Sequence, residues 1–346
     1  MAYVKRAIFA VAGAGKTSML INSLSLAKRT LLLTYTDNNA QQLSDGIIRK
    51  FGHSPDNIMV RTWFSFVLNF LIKPFIISKA PAISRLLFPK NGAPRYVEGI
   101  QRYTTNDGGV FHSRAFEFVT KYVGKDKIRN RLQRFFDEIL IDEVQDFAGY
   151  DFDFIEFLGS VDVNVFITGD FFQHTYDTSR DGSKNKNLHG DFILYKKRLT
   201  VFYSIDETSL SRSYRCPVEI CNFVSSSIGI KMDSASRVKE VAPPKLLLDQ
   251  QSIRNIIEDD SIKKLFRQEC YKYNCNSSNW GDCKGLSYDN VCVILNPNSA
   301  MLFKKGCLSQ MRPLTRNKFY VACTRTRGDL FFIEEANLRD YKRIEA

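Results

Sequence analysis

Residues 10–18, AVAGAGKTS, have the types and spacing of a loop that binds the phosphates of a nucleotide. Gly13 and Gly15 allow the backbone amides to turn towards a polyphosphate. Lys16 is placed to reach the β- and γ-phosphates, and the hydroxyl of Thr17 to ligate Mg²⁺. Nucleotide hydrolysis is therefore the leading hypothesis. The predicted nucleotide-binding residues are Ala12, Gly13, Ala14, Gly15, Lys16, Thr17 and Ser18.

A strand and a helix are expected on either side of this loop. Residues 7–11 form an apolar run typical of a short buried strand, and residues 19–27 place apolar side chains at helical spacing. The order strand, loop, helix is the one that a phosphate-binding loop requires. The alternative is an ordinary glycine-rich turn between a strand and a helix.

Two adjacent carboxylates follow a second predicted strand, Glu138–Ile141. The carboxyl end of a strand in a parallel sheet lies at the edge where ligands bind. Asp142 is thus placed to hold Mg²⁺ through water, and Glu143 to orient or deprotonate an attacking water. A charged strand end that faces solvent is the alternative, but the phosphate loop supplies the other half of an NTP-hydrolysing site.

A polar residue, Gln173, follows a third predicted strand at residues 164–168. Its side chain could contact the γ-phosphate of a bound nucleotide and respond to the loss of that phosphate. Taken alone, this segment is equally typical of a turn built on Gly169 and Asp170.

The elements that position these residues alternate along the chain. Apolar runs predict buried strands, and amphipathic stretches such as residues 114–136 predict helices between them. This alternation predicts an α/β fold with parallel sheets. Prolines, glycines and basic residues interrupt it and indicate an insertion at about 74–136. The remaining predicted strands are 29–34, 57–61, Asn290–Leu295 and 329–333.

The composition is that of a soluble globular protein of 346 residues, long enough for two domains. Lys and Arg outnumber Asp and Glu by 49 to 37, and the net charge of +12 favours a polyanionic partner such as nucleic acid. Solubility alone is the other explanation of this charge. The best local concentration of basic residues, at 121–134, predicts a basic helix face.

No segment predicts insertion into a membrane. The longest apolar stretch, residues 64–77, contains Asn69, Lys73 and Pro74 and is too short to span a bilayer. No signal peptide precedes the phosphate loop, so the eight cysteines are expected to be reduced thiols in a cytoplasmic protein. A metal site is a minor alternative for four cysteines whose spacing differs from that of paired zinc ligands. They are Cys270, Cys275, Cys283 and Cys292.

Eight segments, taken in order, resemble the motifs of the UvrD/PcrA/Rep group of superfamily 1 DNA helicases. The resemblance covers nearly the whole chain. The segments for motifs I, Ia, Ib and II are AVAGAGKTS from Ala10, TYTDNNAQQL from Thr34, RTWFSF from Arg61 and LIDEVQD from Leu140. Those for motifs III, IV, V and VI are GDFFQHTY from Gly169, SLSRSYRCP from Ser209, GDCKGLSYDNVCVI from Gly281 and KFYVACTRTRGDLFFI from Lys318.

The resemblance implies two RecA-like P-loop domains, at 1–205 and 206–346, with ATP and Mg²⁺ in the cleft between them. It implies that Gln173 couples hydrolysis to movement. Arg215 and Arg325 would reach the γ-phosphate, where such arginines neutralise charge that develops in the transition state. The implied catalytic residues are Glu143, Gln173, Arg215 and Arg325, and the implied ligands of Mg²⁺ are Thr17 and Asp142.

Three further residues are implied to bind the nucleotide. Tyr214 would stack on the base, and motif V retains Lys284 and Gly285. The residues of motif VI also predict the first turns of a helix at 320–327, which would carry Arg325 on one face.

For nucleic acid, the resemblance implies a single strand of DNA, alone or as the tail of a duplex, held at its phosphates and by stacking on aromatic rings. Burial in the core is an equal alternative for the tryptophan among these aromatics. The residues that match phosphate-contacting positions are Thr36, Asn38 and Thr62, and those available to stack are Tyr35, Trp63 and Tyr176.

Two departures from the family pattern modify these expectations. Only residues 1–6 precede the first strand, so the family's adenine-reading segment has no place, and we expect ATP to be used with weak discrimination against other nucleoside triphosphates. Residues 218–280, between motifs IV and V, are too few for the large accessory domain of full-length relatives. Dependence on a partner protein for processivity or recruitment is therefore expected.

Three functions follow from this sequence. The first is an ATP-dependent helicase or translocase that moves 3′ to 5′ on single-stranded DNA and separates strands. The second is a DNA-stimulated NTPase that serves as a nucleotide-switched DNA-binding or recruitment subunit of a repair or phage-defence complex, without unwinding of its own. The third is an RNA-directed enzyme, for which the residues offer no discriminating feature.

Overall fold

The computed structural model describes residues 3–76, 83–89, 93–176, 179, 181–238 and 241–343. The chain divides into two compact units. The first unit comprises Met1–Phe9, Lys16–Gly169 and Tyr176–Glu207, and the second comprises Ala10–Gly15, Asp170–Thr175 and Thr208–Ala346. The phosphate loop up to Gly15 therefore packs with the second unit, and the helix that follows it packs with the first.

The first unit is built on a six-stranded parallel sheet in the order β3-β2-β6-β7-β1-β8. Its central strands are apolar and almost wholly buried, as expected when helices cover both faces of a parallel sheet. The six strands are β1 (Lys5–Phe9), β2 (Thr30–Thr34), β3 (Ile58–Thr62), β6 (Glu138–Ile141), β7 (Asn164–Gly169) and β8 (Ser204–Asp206).

The register of this sheet brings three strand ends to one edge. Phe9 pairs with Gly169, and Ile141 pairs with Ile167, so β1, β6 and β7 end close to one another. The segments that follow these three strands are the phosphate loop, the carboxylate pair and the Gln173 segment. Two short strands, β4 (Arg85–Leu87) and β5 (Gly109–Phe111), form a separate parallel pair in the segment predicted as an insertion.

The second unit has a five-stranded parallel sheet in the order β11-β15-β14-β12-β13, and a short parallel pair, β9 with β10. The two parallel sheets confirm the predicted α/β fold class. The strands of this unit are β9 (Arg212–Ser213), β10 (Asp233–Ser234), β11 (Lys245–Leu246), β12 (Ile262–Phe266), β13 (Ser277–Asn279), β14 (Asn290–Leu295) and β15 (Leu330–Glu334).

Helices connect the strands of both units. In the first unit they are α1 (Lys16–Ser23), α2 (Asp37–Phe51), α3 (Trp63–Phe66), α4 (Lys73–Ile76), α5 (Ala115–Tyr122), α6 (Lys125–Phe135), α7 (Gly149–Leu158) and α8 (Phe192–Leu199). In the second they are α9 (Val218–Phe223), α10 (Gln250–Glu258), α11 (Pro297–Lys304) and α12 (Pro313–Cys323). Within the described ranges, none of these helices has the length and apolar composition needed to cross a bilayer.

The two elements around the phosphate loop lie nearer the N-terminus than predicted. The strand ends at Phe9 rather than at residue 11. Ala10 and Val11 are apolar because they pack in the hydrophobic core of the second unit, and not because they continue the strand. The helix spans Lys16–Ser23 rather than 19–27. Its C-terminal carbonyl groups are bound by the ammonium of Lys50, which donates to the carbonyls of residues 21, 22 and 24 at 2.8–2.9 Å.

Two predicted helices differ from the observed ones. The helical stretch predicted at 114–136 contains two helices, α5 and α6, because Gly124 between them has φ of 93°. The helix predicted to begin at residue 320 instead begins at Pro313 and ends at Cys323. Arg325 lies beyond its end, where its carbonyl accepts a hydrogen bond from the backbone N–H of Tyr288 at 2.9 Å.

Candidate functional site

In the first unit, Lys16 and Thr17 open α1 next to the carboxylates that follow β6. The hydroxyl of Thr17 donates to Oδ2 of Asp142 at 2.8 Å. The other oxygen of Asp142, Oδ1, accepts from the hydroxyl of Thr168 at 3.1 Å. The ammonium of Lys16 lies 3.7 Å from Oε1 of Glu143. The structure thus brings together four of the residues that the sequence predicts for phosphate, metal and water.

The electrostatics of this cluster favour a bound cation. Burial raises the pKa of Asp142, and the neighbouring charge of Glu143 raises it further, against the opposing effects of Lys16 and Thr17. A buried carboxylate beside a second carboxylate is stabilised by positive charge, which Lys16 supplies in this cluster and a bound cation would add to. Carboxylate and hydroxyl oxygens are also the protein ligands that Mg²⁺ prefers. The donor set of Thr17 and Asp142 therefore fits Mg²⁺.

Glu143 adopts a backbone conformation that is rare for a residue with a side chain, with φ of 59° and ψ of 47°. A short 3₁₀ turn, Val144–Asp146, follows it at once. The side chain of Gln145 donates a hydrogen bond to Oε2 of Glu143. Backbone strain of this kind is concentrated at functional sites. Here it accompanies the approach of the Glu143 carboxylate to Lys16.

In the second unit, hydrogen bonds with two segments hold the phosphate loop. The backbone N–H of Val11 donates to the carbonyl of Leu210, and the N–H of Tyr214 donates to the carbonyl of Gly13, both at 3.0 Å. The N–H of Ala12 donates to the hydroxyl of Tyr320 at 2.8 Å. The loop is therefore fixed by residues close to motifs IV and VI.

Gly13 also allows close approach of an arginine. Its φ is 73°, and a methyl group at this position would lie 2.7 Å from Cβ of Arg215 and 2.9 Å from Oγ of Ser213. Neither the backbone conformation nor the space suits any other residue type. Gly13 thus permits Arg215 to lie directly against the phosphate loop.

Two guanidinium groups lie in the second unit without carboxylate partners. Arg325 is 1% exposed, and its Nε donates to the carbonyl of Val321 at 3.0 Å. Nη1 of Arg215 donates to the carbonyl of Thr324 at 3.2 Å. Among the residues that the structure describes, no carboxylate forms an ion pair with either arginine. Burial, together with the charge of Arg325, lowers the pKa of Arg215 to about 10. An anion would stabilise both groups.

Gln173 lies beside Arg325, and two residues that the sequence did not single out complete this cluster. Nη2 of Arg325 lies 3.5 Å from Oε1 of Gln173, whose Nε2 donates to Oδ2 of Asp170 at 2.8 Å. The hydroxyl of Tyr320 donates to the same oxygen at 2.9 Å. These two residues are Asp170 and Tyr320, and no signal in the sequence marked them as members of the cluster.

The other predicted nucleotide-binding residues are less enclosed. Tyr214 is 69% exposed and so presents its ring for stacking. Ser18 and Gly285 are exposed, and Lys284 is half-buried in the turn before Leu286, whose carbonyl lies 3.4 Å from Nη1 of Arg325. Motif V therefore adjoins Arg325 through its backbone.

The predicted nucleic-acid residues fall into two groups. Thr36 and Asn38 are exposed at the start of α2, where the hydroxyl of Thr36 caps the helix by accepting from the N–H of Asn39 at 3.3 Å. Thr62 is half-buried and precedes α3, and Tyr176 is 45% exposed. The start of a helix, with its free N–H groups, is suited to phosphate contacts.

Tyr35 and Trp63 are buried, which corrects the expectation that their rings are available to stack on bases. The hydroxyl of Tyr35 donates to Oδ2 of Asp151 at 3.0 Å. Trp63 is fully buried among aromatic rings, with its centroid 4.7 Å from that of Phe154 and 5.3 Å from that of Phe147. Their apolar area stabilises the core of the first unit instead.

The chain matches one family model and is similar to solved structures of helicases. The model of the viral superfamily 1 RNA helicase core domain matches residues 119–334. Among curated proteins, no sequence matches the chain. Similar solved structures include the PRRSV helicase, which is 13% identical with a TM-score of 0.48, the match covering 99% of this chain and 55% of that one.

Two further solved structures are of arterivirus nonstructural protein 10, a helicase. The complex with DNA is 13% identical with a TM-score of 0.49, and the match covers 95% of this chain and 61% of that one. The other structure is 15% identical with a TM-score of 0.48, and the match covers 98% of this chain and 62% of that one. The chain thus spans between 55% and 62% of the length of these helicases.

Proposed function

Because the chain belongs to the family of viral superfamily 1 RNA helicase core domains, we propose that it hydrolyses a nucleoside triphosphate in order to move along a single-stranded nucleic acid. The observation that carries this proposal is the cluster of Lys16, Thr17, Asp142 and Glu143 in the first unit. It contains residues suited to bind the phosphates, the metal ion and the attacking water of phosphoryl transfer.

Each residue of this cluster has a distinct role in the proposal. Lys16 binds the β- and γ-phosphates, and Thr17 and Asp142 hold Mg²⁺, which when bound neutralises charge on those phosphates. Glu143 accepts the proton of the attacking water. The contacts of its carboxylate include the ammonium of Lys16, 3.7 Å from Oε1, and the side-chain amide of Gln145, which donates to Oε2.

Arg215 and Arg325 stabilise the transition state. They lie in the same unit as the phosphate loop, and Arg215 packs against Gly13. Charge that develops on the transferred phosphoryl group would be neutralised by these two guanidinium groups, neither of which forms an ion pair with a carboxylate among the described residues. Tyr214 stacks on the base, and Lys284 and Gly285 contribute from motif V. Gln173, in contact with Arg325, couples the presence of the γ-phosphate to movement.

The finer features of the proposal concern the nucleotide that is hydrolysed, the nucleic acid that is bound and the direction of movement. We propose ATP as the working fuel with weak base discrimination, two RecA-like domains at 1–205 and 206–346, and UvrD/PcrA/Rep-like movement 3′ to 5′ with strand separation. The matched family is named for RNA helicases, and one similar helicase was solved with DNA. DNA and RNA are therefore both tested as the nucleic acid that the protein moves along. The proposed contacts are Thr36, Asn38, Thr62 and Tyr176.

The test measures hydrolysis of ATP with and without single-stranded DNA or RNA. We expect Lys16→Ala and Glu143→Gln each to reduce turnover by at least about 10²-fold. For Glu143→Gln the reason is that general base catalysis alone contributes that much. Matched controls are Lys305→Ala and Glu258→Gln, which alter exposed residues away from the cluster and should leave turnover intact. Full activity in both cluster variants would refute the site.

A strand-displacement assay then separates the helicase from its alternative. Displacement of a strand from a duplex with a 3′ tail is expected for a helicase that moves 3′ to 5′. Hydrolysis without displacement at any loading geometry would favour a nucleotide-switched recruitment subunit that depends on a partner protein. The larger stimulation, by DNA or by RNA, identifies the track.

A further inference from the structure

Tyr320 joins the phosphate loop to the segment that carries Gln173. Its ring is fully buried in α12, and its hydroxyl makes two hydrogen bonds. It accepts one from the backbone N–H of Ala12 at 2.8 Å and donates the other to Oδ2 of Asp170 at 2.9 Å. Burial, followed by the charge of Asp170, raises the pKa of Tyr320, so the hydroxyl stays protonated and able to donate.

The hydrogen bonds continue beyond Tyr320 without a break. Oδ2 of Asp170 also accepts from Nε2 of Gln173 at 2.8 Å, and Oδ1 of Asp170 accepts from the N–H of Phe172 at 3.1 Å. Oε1 of Gln173 in turn lies 3.5 Å from Nη2 of Arg325. A single chain of contacts therefore runs from the phosphate loop through Tyr320, Asp170 and Gln173 to Arg325.

All of these groups are buried in one compact unit. Asp170, Gln173, Tyr320 and Arg325 are each at most 4% exposed. Hydrogen bonds between buried groups are stronger than in water, and a buried polar group that loses its partner is costly. A displacement of the loop at Ala12 would therefore shift Tyr320 and Asp170, and Asp170 holds the side chain of Gln173 by a hydrogen bond.

We propose that Tyr320 is a positioning residue that fixes the positions of Gln173 and Arg325 relative to the phosphate loop. The inference rests on the proposed NTP hydrolysis. The role requires the hydroxyl, because it acts as donor and acceptor at once, whereas the ring alone would suffice for packing. The positions of Gln173 and Arg325 matter most when charge develops on the transferred phosphoryl group, so the loss of the hydroxyl should lower kcat rather than raise KM.

The first test is Tyr320→Phe, which removes the hydroxyl and keeps the ring. We expect kcat to fall about tenfold or more, as for the loss of a buried hydrogen bond to a carboxylate, while KM for the nucleotide changes less than about twofold. The matched control is Tyr203→Phe in the first unit, where a buried hydroxyl donates to the carbonyl of Ile155 at 2.6 Å. That variant loses a comparable hydrogen bond and should keep wild-type kcat.

The second test is a cycle with Asp170→Asn, which weakens the same contact from the other side. If the two residues act through one hydrogen bond, the double variant is no slower than the slower single variant. Multiplicative losses, or a Tyr320→Phe variant with wild-type kcat, would overturn the proposal. A rise in KM with constant kcat would also overturn it, because that is a binding role.

A third measurement does not depend on catalysis. Hydrogen–deuterium exchange of the phosphate-loop peptide, without nucleotide, should be faster in Tyr320→Phe than in the wild type, because the N–H of Ala12 loses its acceptor. If the wild type itself fails to hydrolyse any nucleoside triphosphate, the proposed function fails. In that case unchanged exchange would still refute the role of Tyr320, and faster exchange would support its hold on the loop.

Discussion

The carboxyl group of Asp151 is enclosed in the first unit, and its ionisation should make folding stability fall as pH rises. Oδ2 of Asp151 accepts hydrogen bonds from the hydroxyls of Tyr35, at 3.0 Å, and of Ser179. The side chain is fully buried. Burial raises the pKa of Asp151 from 3.8 to about 7, and the hydrogen bonds only partly oppose that shift.

The sign of the effect follows from proton binding. The unfolded chain releases this proton near pH 3.8, whereas the folded chain keeps it until about pH 7. Between these values the unfolded state binds fewer protons, so the free energy of unfolding falls as pH rises. A pKa difference of about three units corresponds to about 4 kcal/mol across the window. For a unit of this size, that lowers Tm by roughly 8–16 °C.

The assay compares wild type with Asp151→Asn, which keeps the shape and cannot ionise. Thermal unfolding is followed by circular dichroism from pH 4 to pH 8. We expect the Tm of the wild type to fall relative to that of the variant as pH rises. Asp126→Asn removes an exposed carboxylate and serves as the control, whose Tm should follow that of the wild type. Parallel curves for wild type and Asp151→Asn would refute the reasoning.

Three further predictions concern the candidate site. Gly13→Ala should weaken nucleotide affinity at least about tenfold in a fluorescent-nucleotide titration, because the added methyl group would lie 2.7 Å from Cβ of Arg215. The control for backbone strain is Gly52→Ala, which should bind nucleotide normally. Gly52 has φ of 79°, and a methyl group there would have no atom within 4 Å. Arg325→Lys should lower kcat by about 10³-fold, since lysine keeps the charge but loses the planar fork, whereas Arg327→Lys at an exposed position should not. Asp142→Asn should raise the Mg²⁺ concentration needed for half-maximal hydrolysis at least about tenfold, measured by Mg²⁺ titration.

The sequence predicted the strands and the chemistry at their ends because both are local properties. Glu138–Ile141 and Asn290–Leu295 lie where the apolar runs place them, since a buried parallel strand is apolar on both faces. The cluster of Lys16, Thr17, Asp142 and Glu143 also follows, because parallel strands bring their carboxyl ends to one edge. Local pattern and sheet geometry suffice for these residues.

Contacts between distant segments could not be predicted in the same way. The hydroxyl of Tyr320 meets Asp170 across 150 residues and Ala12 across 308 residues. Nothing in the local pattern of α12 separates this tyrosine from one that only fills the core. The same difficulty explains Trp63, which an aromatic motif offers to nucleic acid and which tertiary packing places among Phe66, Phe147 and Phe154.

Burial of charged groups explains why folding alone would not select this arrangement. In the first unit, Asp142 lies beside Glu143 where burial disfavours the ionised form of Asp142. In the second unit, Arg215 and Arg325 lie close enough for one charge to lower the pKa of the other. Each group would be more stable in water or beside an opposite charge. The residues whose charged forms burial disfavours, Asp142 and Arg215, are thus among those that the proposed reaction uses.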